Sequence, residues 1–197
     1  MHKNNLELYK KKLQKKLDYE RYEHTIGVAY TAAALAMRYG ADIEKAQLAG
    51  ILHDNAKCIP YEKAMQLSEK YNIPLNDAEK ANPALLHSKI GAYLAMHKYK
   101  INDKEIIRAI LYHTTGRPNM TLIEKIIYIA DYIEPRRHKA QNLTEIRRLA
   151  FIDIDKALLK ILADTLEYLK TCNIEIDPMT QKTYDFYKNV QPLELTK

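Results

Sequence analysis

Glycine is scarce in this chain, with only five among 197 residues, where an average protein carries ~7%. That shortage argues against glycine-rich turns, dinucleotide-binding fingerprints of the Rossmann type and β-sandwiches. Cysteine is rarer still. Cys58 and Cys172 stand alone, in neither a C-x-x-C pair nor a disulfide framework, so two reduced thiols in a cytoplasmic protein are expected. There is no tryptophan and phenylalanine occurs twice. No apolar run approaches the ~18 residues that crossing a bilayer takes. The first residues, MHKNNLELYKKKLQKK, are basic but lead into no apolar stretch and no small-residue cleavage site, so no signal peptide is expected. Net charge is also modest. A formal +6 spread over the whole chain separates no partner from another.

What remains is the make-up of an ordinary globular protein, 47% hydrophobic and 28% charged, with fifteen tyrosines and seven histidines. At this length folding removes roughly 70% of the unfolded surface, enough for one core without staples. Apolar residues recur at helical spacing throughout: Leu6, Tyr9, Leu13 and Leu17 first, then a nearly continuous set from Tyr19 to Tyr39. Gly40 and Asp42 suit a helix stop and the next helix start. Further helices are expected at 42–56, 61–71, 75–81, 84–98, 103–113, 121–133, 142–150, 153–171 and 179–189. Pro60, Pro74, Pro83, Pro118, Pro135 and Pro178 fall between them, where proline does least harm. No stretch sustains a period of two. The reading is all-α and single-domain, with a basic first helix over 1–18, a main body over 19–190 and a tail over 191–197. The run KKKLQKK at 10–16 reads as the solvated face of the amphipathic first helix rather than a nucleic-acid contact.

The histidines are not scattered evenly among polar residues. His53-Asp54 closes the apolar run LAGIL, and a buried carboxylate is costly unless paired or bound to metal. His24 sits among small apolar residues, and Asp131 follows IEKIIYIA. His87 opens LLHSKIGAYLA, and His113 ends EIIRAILYH. Any one of these alone reads as a hydrogen-bonded core residue; together, five elements deliver ligand types from apolar surroundings. Imidazole with carboxylate suits Fe, Mn, Ni, Co or Zn and makes a poor calcium cage. The order His24, His53-Asp54, His87, His113, Asp131 is that of a two-metal HD-type phosphohydrolase. One ion would take His24, His53, Asp54 and Asp131; the second would take Asp54, His87 and His113, with Asp54 bridging and a metal-bound hydroxide as nucleophile. His2, His97 and His138 fit no such role.

R21-x-x-H24, LAGILHDNAK at 48–57, HTTGRPNMTLIEKIIYIADYIEPRR at 113–137 and the later IRRLA with DIDKALL resemble the YqeK family of HD-domain proteins, from about Tyr19 to Asn189. The resemblance implies an all-helical HD-domain phosphohydrolase fold and symmetrical hydrolysis of diadenosine tetraphosphate to two ADP. It also implies two transition-metal ions, with iron the first choice, on His24, His53, Asp54 and Asp131. His87 and His113 match the positions that complete the second metal or contact phosphates, and Arg137 matches a nucleotide-binding arginine. The family usually reads E-P-N-R where this chain has Arg136 in place of the asparagine, so the roles of Arg136 and Arg137 are not separated.

Cleaving a phosphoanhydride calls mainly for positioning and for charge neutralisation on phosphoryl oxygens. Lys57 follows Asp54 by three residues and can reach either that carboxylate or a phosphate. Thr114, Thr115, Gly116 and Arg117 offer phosphate donors and charge, or simply end a helix. Arg21 either faces the pocket or pairs with Glu20 or Glu23. The patch Arg136, Arg137, His138, Lys139 follows the Asp131 helix, where an oligophosphate tail would lie. The expected partners are a dinucleoside polyphosphate substrate and a nucleoside diphosphate product, with no membrane or nucleic acid and with a homodimer left open. Two alternatives share these residues: an HD nucleotidase or phosphodiesterase on another nucleotide, and a non-catalytic nucleotide- or RNA-binding regulator.

Overall fold

The computed structural model describes residues 3–190, all of whose regular structure is helical. The expected tail, 191–197, and His2 lie outside the described residues. Helices α1 (Lys3–Gln14), α2 (Tyr19–Tyr39) and α3 (Ile43–Leu52) come first. They are followed by α4 (Tyr61–Lys70), α5 (Asp77–Ala81), a 3-10 turn at Pro83–Leu85 and α6 (Leu86–His97). The chain continues through α7 (Lys104–Tyr112), α8 (Leu122–Ile133), α9 (Leu143–Ala150), α10 (Ile154–Thr171) and α11 (Pro178–Val190).

Caps written in the sequence set many of these boundaries. Asp18, Asp42 and Asp103 each accept a backbone N–H in the first turn of the helix that follows. Thr121 and Glu124 form a reciprocal capping box at the start of α8. Gly40 ends α2 at φ 69°, a left-handed position that glycine adopts without strain. The helix expected over 42–56 is shorter than its sequence pattern. It stops at Leu52 because side chains take the carbonyls that a continuing helix would use: His53 Nδ1 meets Gly50 O at 2.7 Å, and Asn55 Nδ2 donates to Leu52 O at 2.7 Å. The chain then tightens through i to i−3 bonds at Asn55, Lys57 and Ile59. This change of course turns Asp54 inward beside His53 rather than onto the next helical face.

One large core runs through α1, α2, α3, α7, α8 and α10, and α8 lies at its centre with Ile126, Ile127 and Ile129 fully buried. Each such side chain contributes about 1.5–3 kcal/mol of hydrophobic stabilisation. The basic first helix, which ends at Gln14 rather than at 18, is part of that core: Tyr9 and Leu13 are buried, as is Leu17 just beyond it, and the Tyr9 hydroxyl donates to Tyr99 O at 2.8 Å. Helices α2 and α3 cross so closely that a Cβ on Gly50 would lie 2.8 Å from the Ala29 Cα. That crossing presses the His24 and His53 elements together.

Candidate metal centre

Four helix ends and one helix middle meet around Asp54. His24 comes from the first half of α2, His53 and Asp54 from the turn after α3, His87 from the start of α6, His113 from the end of α7, and Asp131 from the last turn of α8. All four histidines and Asp54 are buried; Asp131 is partly open.

The two oxygens of Asp54 divide the histidines between them. Oδ2 lies 3.4 Å from His53 Nε2 and 3.8 Å from His24 Nε2. Oδ1 lies 3.1 Å from His87 Nε2 and 3.6 Å from His113 Nε2. Asp131 Oδ1 joins the first group, 3.0 Å from His24 Nε2 and 3.9 Å from His53 Nε2. Two overlapping sets therefore have metal-ligand spacing: His24, His53 and Asp131, and His53, Asp54 and His113.

The far nitrogen of every ring is tied down. His53 Nδ1, His87 Nδ1 and His113 Nδ1 lie 2.7, 2.5 and 2.7 Å from Gly50 O, Ala84 O and Ile110 O. His24 Nδ1 instead meets Glu134 Oε1 at 3.0 Å. A carbonyl or carboxylate can only accept, so these bonds place the proton on Nδ1 and turn the Nε2 lone pair inward, the arrangement of a metal-ligating imidazole. His24 Nε2 and His53 Nε2 are buried without a hydrogen-bond partner, and His87 Nε2 and His113 Nε2 face each other at 3.0 Å. Buried lone pairs converging in this way suit a shared cation. The residues present fit divalent metal, and metal binding is the property of this cluster that the structure supports directly.

The acidic charge of the cluster is felt on both sides: against the lowering effect of burial, Asp54 and Asp131 raise the His53 pKa. Burial would raise the Asp54 pKa, but His53, His113 and His87 outweigh it and hold the carboxyl well below the usual range. Burial opposes ionisation of Asp131 too, and His24, His53 and Arg137 overcome it. His87 is pushed down to about 4, mainly by burial, and so is neutral at pH 7 as a ligand must be. Two guanidiniums also hold the carboxylates: Arg21 Nη1 donates to Asp54 Oδ2 and Arg137 Nη2 to Asp131 Oδ1, each at 2.8 Å.

The other expected site residues divide. Lys57 makes no ion pair with Asp54 among the described residues; its Nζ lies 3.3 Å from His87 Nδ1, and burial lowers its pKa. Arg21 faces Asp54, not Glu20 or Glu23. Arg136 takes those two acids instead, at 2.9 and 3.5 Å, which separates it from Arg137. Arg117 is not brought to the cluster. Its Nε and Nη2 clamp the buried carboxylate of Glu124 at 3.0 and 2.7 Å and its Nη1 donates to Pro118 O, so its charge is spent on the capping box of α8. Thr115 Oγ1 donates to Gly116 O, and Gly116, at φ 63°, packs against Thr183, so this pair serves the turn. Thr114 Oγ1 is buried and unpartnered beside His113.

Two participants went unnoticed in the sequence. Glu134 is buried at the end of α8 and orients His24. Gly27 makes room for it, since a Cβ there would lie 2.5 Å from Glu134 Oε2. The only signal was the glutamate before proline in I-E-P, which gives no hint of burial.

The HD domain model matches residues 21–136, more than half of the chain and the whole span from Arg21 to Asp131. The chain belongs to the HD-domain family. A chain of Bacillus subtilis (strain 168), the bis(5′-nucleosyl)-tetraphosphatase, symmetrical, is 42% identical over 174 residues, 88% of this chain and 92% of that one. The protein of the same description from Staphylococcus aureus (strain NCTC 8325 / PS 47) is 38% identical over 185 residues, 93% and 94% of the two chains. Within the HD-domain proteins, this chain is thus a member of the symmetrical bis(5′-nucleosyl)-tetraphosphatase family of hydrolases. The crystal structure of a predicted HD superfamily hydrolase involved in NAD metabolism from Clostridium acetobutylicum superposes with a TM-score of 0.89 at 37% identity, covering 97% of this chain and 99% of that one. The all-α, single-domain HD fold expected from the sequence is the fold found. Among the described residues no helix is long and apolar enough to cross a membrane.

Proposed function

We propose that the chain hydrolyses dinucleoside tetraphosphates symmetrically, diadenosine tetraphosphate to two ADP, at a two-metal centre built on Asp54. The observation that carries this reading is the division of Asp54: one oxygen faces His24 and His53, the other His87 and His113. In this reading His24, His53, Asp54 and Asp131 hold one ion, and Asp54, His87 and His113 the other. Iron is the first choice for both, with Mn, Ni, Co or Zn as alternatives that the same ligands accept. When bound, the ions supply Lewis acidity at phosphoryl oxygens and a water nucleophile at neutral pH.

The chain's own residues do the rest. In this reading Arg137 and Arg21, each hydrogen-bonded to a carboxylate of the cluster, supply positive charge to the inner phosphates of the substrate. Lys57 adds a third positive charge next to His87. A cavity of about 290 Å³ opens beside Lys57 and His87, walled by Ala56, Ile59, Tyr61 and Ile90, and suits one nucleoside of the substrate. Thr114, directly after His113, is the remaining hydroxyl for a phosphate oxygen. Symmetrical cleavage follows if the cavity and cations accept one nucleoside diphosphate unit, so that the broken bond lies between the second and third phosphates. The test is product analysis with purified protein loaded with Fe or Mn. Two ADP are expected; ATP plus AMP, or no turnover with any of these metals, would overturn the assignment.

A further inference from the structure

A second cavity, of about 350 Å³, lies across the 55–60 turn from the metal centre. Its floor is apolar, formed by Leu17, Ile59, Leu67 and Leu94, and its rim carries Lys16, Lys63 and Lys98. The three lysines come from the α1–α2 connection, from α4 and from the residue after α6, so the fold, not a run of sequence, gathers them. None of the three makes an ion pair among the described residues. Lys16 Nζ donates to the Tyr99 hydroxyl at 3.2 Å, a neutral partner. Asp18, the carboxylate touching this wall, is already used: it caps α2 through Arg21 N and accepts from Cys58 Sγ at 3.3 Å.

Bringing ammonium groups together over an apolar floor without a counter-charge is unfavourable. The cost shows on Lys16, lowered to about 8 by burial and by neighbouring Lys98 and Lys12. Among the described residues no carboxylate pairs with these lysines to offset it; only Lys16 has partial compensation, from the Tyr99 ring 5.2 Å from its Nζ. We propose that this cavity is a second, separate anion site that binds an oligophosphate, with the apolar floor receiving the ring of an attached nucleoside. It is a site for an effector and not for the reacting bond, since none of its donors touches the histidine–aspartate cluster. Its wall at Ile59 is shared with the cavity beside Lys57, so an occupant would rest against the turn that carries Lys57.

Cys58 lines this cavity and is exposed, while Cys172 is exposed elsewhere, which gives a built-in reporter and a control. The metal-loaded full chain is labelled with N-ethylmaleimide, a neutral reagent, and modification at each cysteine is followed by mass spectrometry. ATP and inorganic tripolyphosphate are the probes, with excess Mg2+ so that neither strips the metal centre. At a probe concentration ten times its Kd, Cys58 labelling falls about tenfold, since only the empty fraction reacts, while Cys172 is unaffected. ATP acting at lower concentration than tripolyphosphate assigns the floor to a nucleoside; equal potency assigns the site to a free oligophosphate. In K63A/K98A, two exposed changes outside the metal centre, the protection disappears. Unprotected Cys58 at saturating probe, or protection that persists in the double variant, would overturn the proposal.

Discussion

Replacing Glu134 by glutamine tests whether the carboxylate behind His24 sets the metal affinity of the site. Glu134 is 1% exposed and accepts from two sides, from His24 Nδ1 through Oε1 at 3.0 Å and from the Arg136 backbone N–H through Oε2 at 2.7 Å. Glutamine has the same shape but a single acceptor oxygen. If that oxygen faces Arg136, the amide NH2 meets His24, drives the proton to Nε2 and blocks the ligand lone pair. If it faces His24, the Arg136 N–H is left opposite a donor, at a cost of about 1–3 kcal/mol in stability. Either orientation also removes the negative charge that strengthens His24 as a ligand. Loss of such a partner lowers metal affinity about 10–100-fold, or about 1.4–2.7 kcal/mol. The assay is competition for Mn or Zn between chelator-stripped protein and a chromophoric chelator, with circular dichroism and a thermal melt confirming the fold. G27A offers an independent route, because its Cβ would push on Glu134 Oε2 without removing charge. Folded E134Q that binds metal within about twofold of the parent would refute the argument.

Three further outcomes are expected. R117A leaves buried Glu124 uncompensated and lowers Tm, by about 1.5–3 kcal/mol in stability, with kcat unchanged; a kcat loss without a Tm shift would return Arg117 to the substrate site. G50A forces α3 away from the Ala29 backbone, costs about 1–3 kcal/mol on denaturant unfolding and weakens metal binding through His53; unaltered stability and affinity would contradict the close crossing. K57M keeps the full metal content by elemental analysis but loses about 10²-fold or more in kcat, in line with removal of a charge aimed at the transition state; loss of metal along with activity would make Lys57 a structural support instead.

Sequence and structure agree where local chemistry decides. Asp18, Asp42, Asp103 and the Thr121–Glu124 pair stop and start helices through bonds a few residues long, so those boundaries are legible in the chain itself. The α3 boundary is not legible in the sequence because the apolar rhythm continues past Leu52, whereas the competing bonds of His53 and Asn55 to backbone carbonyls have no period to detect. In the sequence Arg117 fits a phosphate contact or a plain helix end; only the packing of α8 puts it on Glu124. Lys57 and Arg21 show the opposite case. Lys57 has Asp54 or a phosphate within reach in the sequence, and Arg21 has the pocket or Glu20 and Glu23; tertiary geometry alone puts Lys57 beside His87 and Arg21 on Asp54.

By itself, then, the sequence determined the helical class and the order in which histidines and aspartates leave apolar surroundings, because apolar spacing and the scarcity of glycine are properties of the chain read one residue after another. The tertiary structure decided which lone pair points where. Asp54 stands between two histidine pairs only because α3 ends at Leu52, Gly50 lets α2 close in, and Glu134 reaches back through the space left by Gly27. Those are distances between atoms remote in sequence, fixed by packing and by the hydrogen bonds that buried polar groups must find.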